Sequence, residues 1–230
     1  MKVRGFAYVL LALGIGWALI TVLYLDEFTY RNLVKEFYVN FSSSAISIAV
    51  TVLIIDRMYE QRNEERDKRR IIAQMGSPSS DFALEAVRLA DNQGWLQDGS
   101  LKGAKLRRAN LGRAMLISAD LSETNLNEAN LSGANLSMAD LRGANLSFAT
   151  LHETGLMKAN LRGANLAAAD LTRAVLFDAD LRGAILSYTD LRGADLGEAI
   201  LKEVRYDRGT KWPNDFVPPP DAINLDEQSD

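Results

Sequence analysis

The sequence predicts an all-β solenoid of square cross-section, and three regularities in it carry that prediction. Leucine occupies every fifth position from Leu101 to Leu201, 21 times without a miss. Two residues before each of the last 20 leucines stands a small residue, Ala at 17 of them and Thr at Thr124, Thr154 and Thr189. Near-copies, L-R-G-A at Leu141, Leu161 and Leu181 and L-K-G-A at Leu101, return at multiples of twenty, with an off-phase echo at Leu191. A fixed internal period dictates architecture before any residue-level reading begins.

A period of five fits neither ordinary element. On an α-helix five residues turn through about 500°, which scatters the leucines around the axis. In a flat strand an odd spacing sends alternate leucines to opposite faces. The chain must therefore bend once per repeat, and twenty residues per coil then means four sides. Along each side the small residue and the Leu share the inward face, so Leu121, Leu141, Leu161 and Leu181 with Ala139, Ala159 and Ala179 form the expected core. The residue between them faces out and is Asn or Asp at 13 of 20 positions, where its side chain can bond nearby turn backbone. The next two residues make the corner, and Gly fills the second at sites such as Gly143 and Gly183, as a turn favours. About five coils at about 4.8 Å each make a rod roughly 25 Å long.

The segments before the repeat divide in chain order. Gly5 to Leu25 carries no charge and is long enough, at about 1.5 Å per residue, to cross a bilayer. A second uncharged stretch, Phe37 to Ile55, is interrupted by Asn40, Ser42, Ser43, Ser44, Ser47 and Thr51. Residues 1–56 thus read as a transmembrane hairpin with spans at 5–25 and 37–55, connected by a loop holding Arg31 and Lys35. Lys2 and Arg4 precede it and Arg57, Arg62, Arg66, Lys68, Arg69 and Arg70 follow it, so the positive-inside rule places both termini in the cytoplasm. Residues 57–98 read as a charged helix, with Glu64–Lys68 and Glu65–Arg69 pairs, and then a capping helix. Gly76 separates the two; Ser77 and Pro78 start the second, Gly94 ends it, and Phe82, Ala86, Leu89 and Ala90 form its apolar stripe. Solenoids need such caps because a bare end exposes apolar interior and unpaired backbone.

The repeat itself covers residues 99–206. Runs such as A-N-L-S-G, A-D-L-R-G and A-N-L-R-G between Ala134 and Gly163 resemble the pentapeptide-repeat family, whose pattern is A-[DN]-L-x-x. That resemblance implies a right-handed quadrilateral β-helix. Residues 207–230 read as a closing segment, with Trp212 and Phe216 as lids and a disordered acidic tail beyond Pro220.

Composition narrows the function. The chain has no cysteine and one histidine, His152, and its expected core is filled by Leu and Ala. Catalysis needs convergent acid, base, nucleophile or metal ligands in a pocket, so no enzyme, cofactor, metal or small-molecule substrate is expected. Residues 101–206 hold 13 basic and 12 acidic side chains. That balance disfavours a DNA mimic of the kind that protects topoisomerase in the resembled family, since mimicry needs dense negative charge. No nucleic-acid partner is expected either. The remaining reading is a scaffold in the cytoplasmic membrane, its β-helix in the cytoplasm, its partners the lipid bilayer and another protein or a second copy. Two outward columns could carry the contact: Ile117, Met157 and Phe177 with Met138 alongside, and the basic stripe Arg142, Arg162 and Arg182. The stripe runs beside Asp120, Asp140, Asn160 and Asp180, which can compensate it in place.

Overall fold

The computed structural model describes residues 30–228. Two compact units divide the chain, residues 1–66 and 67–230.

In the second unit every one of the 21 leucines is buried, 19 of them completely, and Thr124, Thr154 and Thr189 are buried where Ala usually stands. The residues between Ala and Leu bridge in parallel to their equivalents twenty positions on, as in Asn125 to Asn145 to Asn165 to Ile185. Four such ladders climb the molecule, one per side, giving the expected four-walled solenoid.

The period of five follows from how the backbone closes its hydrogen bonds, and the repeat Ala144 to Phe148 shows it. Ala144 N–H donates across the preceding corner to Leu141 C=O at 3.0 Å, and Asn145 N–H reaches back one coil to Thr124 C=O at 2.8 Å. Leu146 and Phe148 N–H groups reach forward one coil, to Asn165 C=O at 2.7 Å and Ala167 C=O at 2.9 Å. The fifth, Ser147 N–H, donates to the side chain of Asn145 at 3.1 Å. All five donors of the repeat are satisfied, and buried or crowded donors demand this. Asn and Asp recur between Ala and Leu because only a short side-chain acceptor can serve that fifth N–H.

The second corner residue is left-handed throughout. Glycines hold it with φ of 63–70° at six positions, and fifteen non-glycine residues hold it with φ of 55–62°. Such backbone costs an L-residue about 1 kcal/mol or more. It persists here because its N–H is tied to the next coil, as Arg108 is to Asn127 C=O at 3.0 Å. The buried threonines also keep the accounts closed: Thr154 and Thr189 hydroxyls donate to Leu131 and Leu166 carbonyls at 2.8 Å.

Helix α1 spans Tyr30–Met75 and helix α2 spans Ser80–Asn92. The end of α1 and the whole of α2 close the first coil. Ile71, Met75, Ala83, Ala86, Val87, Ala90, Trp95 and Leu96 are buried with the repeat leucines in one core. The cap also continues the ladder, because Asn110 N–H donates to Ser77 C=O at 2.9 Å and Asp120 N–H to Leu96 C=O at 2.8 Å. Gly94, with φ 72°, ends α2 as expected, and Trp95 N–H bonds back to Ala90 C=O at 2.9 Å.

Several details of this region depart from the sequence reading. Helix α2 begins at Ser80, two residues after Pro78, because the Ser77 hydroxyl instead accepts Ser79 N–H at 3.1 Å outside the helix. Phe82 is 66% exposed, and the buried stripe runs through Ala83, Ala86, Val87 and Ala90, small residues that let the helix sit close on the coil. Lys68 turns to Asp98 at 3.0 Å and lies 5.4 Å from the centre of the Trp95 ring, so the expected Glu64 pairing is not made. Arg31 and Lys35 lie within α1, not in a loop.

At the far end Tyr206, Trp212 and Phe216 cover the last coil. Trp212 meets Tyr206 edge-on at 5.6 Å and stacks on Phe216 at 5.2 Å. The segment beyond Pro220 is ordered into structure through residue 228. Strand β1, Arg205–Tyr206, pairs in parallel with strand β2, Ile223–Asn224, and a 3₁₀ turn follows at Leu225–Gln228. Composition suggests a free acidic tail there, but the exposed edge of the last coil supplies unpaired backbone that Ile223 fills by donating to Val204 C=O at 2.7 Å.

The first predicted span, 5–25, and the flanking Lys2 and Arg4 lie outside the described residues. The second, 37–55, falls on α1. Among the described residues no helix is long and apolar enough to cross a membrane. The polar residues at Ser43, Ser44, Ser47 and Thr51 are the physical reason, since they dilute Ile48, Val50, Ile54 and Ile55.

Candidate interaction surface

With the core filled and the backbone satisfied, what distinguishes one side of the solenoid from another is its outward side chains. Each wall is named here by its Asn or Asp in the second coil: Asp120, Asn125, Asn130 and Asn135. The Asp120 and Asn130 walls stand opposite each other, as do the Asn125 and Asn135 walls.

The Asp120 wall carries the sequence-predicted stripe of Arg142, Arg162 and Arg182, and all three are engaged where they stand. Arg142 pairs with Asp140 at 2.5 Å, and Arg162 and Arg182 both reach Asp180 at 2.6 Å. The Arg142 guanidinium holds the Asp140 carboxyl below the usual carboxylate range. Lys102 faces Glu123 at 3.3 Å. The stripe is a self-compensated surface, not a field waiting for an acidic ligand.

The Asn130 wall is also charged and internally paired. Arg192 donates to Asp190 at 2.7 Å and, chiefly through that bond, holds its carboxyl near about 2, with Lys211 adding to the effect from 3.5 Å. Arg173 meets Glu153 at 2.9 Å. His152 is part of this wall's polar mesh. Its Nδ1 lies 2.7 Å from the Thr172 hydroxyl, which donates to Asp170 at 2.6 Å. The arrangement orients a surface imidazole through its hydrogen bond with Thr172, and no group of metal-binding side chains occurs among the described residues.

The Asn125 wall is flat and polar. Asn127 donates to Ser147 C=O at 2.9 Å, and Asn145 and Asn165 hold the N–H groups of Ser147 and Ala167. Its corner presents Phe148 and Tyr188, separated by Ala168.

The Asn135 wall differs from all of these. Nine large apolar side chains are exposed on the repeat, and six of them (Met115, Ile117, Met138, Met157, Val175 and Phe177) belong to this wall and its corner. The sequence reading finds Ile117, Met138, Met157 and Phe177, and the structure brings all four to one side. It does not find Met115 or Val175, which are 57% and 41% exposed. Both occupy the slot normally held by Asn or Asp, so the missing acceptor was the available signal. On this wall that slot reads Met115, Asn135, Gly155, Val175, Asp195, and three of the five have no side-chain acceptor to offer. The Phe177 ring lies against Gly197, where even a methyl carbon would come within 2.9 Å of it.

Comparison with known proteins bears on the whole repeat. A family model described as pentapeptide repeats matches in eight copies, over residues 96–133, 124–163 and 159–197. A solved pentapeptide repeat protein from Nostoc PCC 7120 is 46% identical over 40% of this chain and 77% of its own, with a TM-score of 0.40. HetL, a pentapeptide repeat protein involved in heterocyst differentiation regulation in Nostoc sp. strain PCC 7120, is 35% identical over 45% of this chain and 60% of its own, at 0.30. QnrB1, a plasmid-mediated fluoroquinolone resistance protein, is 16% identical over 56% of this chain and 80% of its own, at 0.28. Among curated proteins nothing matches the chain.

Proposed function

Because the chain belongs to the pentapeptide-repeat family, with its right-handed quadrilateral β-helix, we propose that it is a non-catalytic scaffold anchored in the cytoplasmic membrane. In this reading the cytoplasmic solenoid presents its Asn135 wall to a protein partner. The observation that carries it is the gathering of six exposed apolar side chains on one wall of a rod whose other charged walls are internally neutralised. Contiguous exposed apolar surface on a folded protein marks a contact site. Leucine, alanine and threonine occupy the interior, which leaves the outer faces as the working surface.

Three features support the anchor. Residues 5–25 carry no charge. In α1 the apolar side chains Ile48, Val50, Ile54, Ile55, Met58 and Tyr59 are exposed. Tyr59 and the basic residues that follow suit the boundary between hydrocarbon and headgroups on the cytoplasmic side. The alternative, a DNA mimic that protects a topoisomerase, needs a dense negative face, and the neutral Asp120 wall offers none.

The chain lacks cysteine, so a single one introduced at exposed Lys202→Cys is the sole target for a membrane-impermeant maleimide. The full chain is expected to resist alkaline carbonate extraction and to react only after cells are opened. Release into the carbonate wash would remove the anchor, and labelling of intact cells would reverse the topology.

A further inference from the structure

The charges around the Asn135 wall are ordered end to end. Along its two corners Glu153 is taken by Arg173 at 2.9 Å, Arg192 is held by Asp190 at 2.7 Å, and Lys158 faces Asp178 at 3.9 Å. What remains is Arg113 beside the first coil and Asp195 with Glu198 on the last. The wall is therefore an apolar strip with a positive foot and a negative head. Four inter-coil steps separate Met115 from Asp195, about 19 Å at about 4.8 Å per step.

We propose that this wall seats one amphipathic helix of about thirteen residues, running from the last coil toward the first. The inference rests on the scaffold reading above and names the partner's chemistry. Its length follows from about 19 Å at about 1.5 Å per residue. Its direction follows from the helix dipole: the positive N-terminus belongs over Asp195 and Glu198, the negative C-terminus over Arg113. A single helix also matches the width. One side of the coil is on the order of 10 Å across, close to a helix diameter of about 10–12 Å. Met115, Met138 and Met157 suit such an occupant, since unbranched thioethers mould themselves to the ridges of a helix.

The test uses the full chain in its native membrane, with p-benzoylphenylalanine in place of Met115 or Met157 and, on the opposite wall, Ala167. Adducts formed on irradiation are mapped by mass spectrometry to the partner segment. The expected segment has apolar residues at i, i+3 or i+4, and i+7, with position 157 and position 115 marking successively later residues in it. Glu198→Lys or Arg113→Glu should each cut the yield at least five-fold, while Glu203→Lys on another corner leaves it unchanged. Adducts to a second copy, to lipid or to a segment without that spacing, or yields insensitive to both charge variants, would overturn the helix while leaving the scaffold reading intact. Absence of protein adducts from every wall would overturn both.

Discussion

Leu141 lies in a middle coil, is fully buried and belongs to the continuous leucine column, while its neighbour Arg142 faces solvent. Leu141→Ala removes three buried carbons from a narrow lumen whose four walls are locked by inter-coil hydrogen bonds and cannot collapse inward. The lost transfer free energy and the unrelaxed cavity together cost about 3–5 kcal/mol. Arg142→Ala removes an exposed ion pair with Asp140, worth about 0–1 kcal/mol, and leaves Asp140 its bond from the Arg142 backbone N–H. Urea denaturation of the full chain in detergent, followed by far-UV circular dichroism, should shift the Leu141→Ala midpoint strongly and the Arg142→Ala midpoint barely. Solenoid stability is a sum over coils and their interfaces. A middle-coil defect therefore weakens the contacts on both of its sides, and the transition should also broaden. Equal midpoints for the two variants would refute the assignment of inward and outward faces.

Ala168 holds a solvent-facing corner with φ 57°. Ala168→Gly should stabilise by about 0.5–1 kcal/mol, since relief of left-handed strain exceeds the extra freedom glycine gains in the unfolded chain; a lower melting midpoint would contradict the account of the corners. Asp190 has its carboxyl depressed from 3.8 to about 2. A depressed folded value means the stabilisation is complete above the unfolded value and is lost as pH falls through about 2. With the exposed guanidinium discounted for screening, it is about 1–2 kcal/mol. Melting midpoints of wild type and Asp190→Asn should therefore converge between pH 4 and pH 2, and parallel curves would count against the ion pair.

The core of this fold is legible in the sequence because geometry allows no slack. A leucine displaced by one residue would face solvent, and every fifth N–H would lose its acceptor. The corners and caps are legible for the same reason, down to Gly94 and the break after Met75. What escapes is whatever depends on partners distant in sequence. Lys68 meets Asp98 across thirty residues, and no local pairing rule reaches that far. Phe82 dominates any reading of an apolar stripe by its size, yet the coil end admits only a close-packed face of Ala83, Ala86 and Ala90. Acidic residues after Pro220 suggest disorder because composition does not register the open backbone edge at Val204. The site is half legible: Ile117, Met138, Met157 and Phe177 follow from phase alone, whereas Met115 and Val175 sit where a hydrogen-bonding residue belongs.

Those two residues bear most directly on what the surface is for. In this architecture backbone carbonyls take four of the five N–H groups in a repeat, so outward side chains vary without endangering the fold, and drift should scatter departures from the repeat evenly over four walls. From Lys105 to Ile200 the Asn or Asp slot is lost at seven places, and three of them fall on the Asn135 wall, against one, two and one on the Asp120, Asn125 and Asn130 walls. Each loss surrenders a turn bond worth about 0.5–1.5 kcal/mol, which water only partly replaces. Met115 and Val175 also leave large apolar surface in solvent. A wall that gives up local bonds and exposes apolar side chains at the same positions is less stable alone than its neighbours. The compensation has to come from whatever covers it.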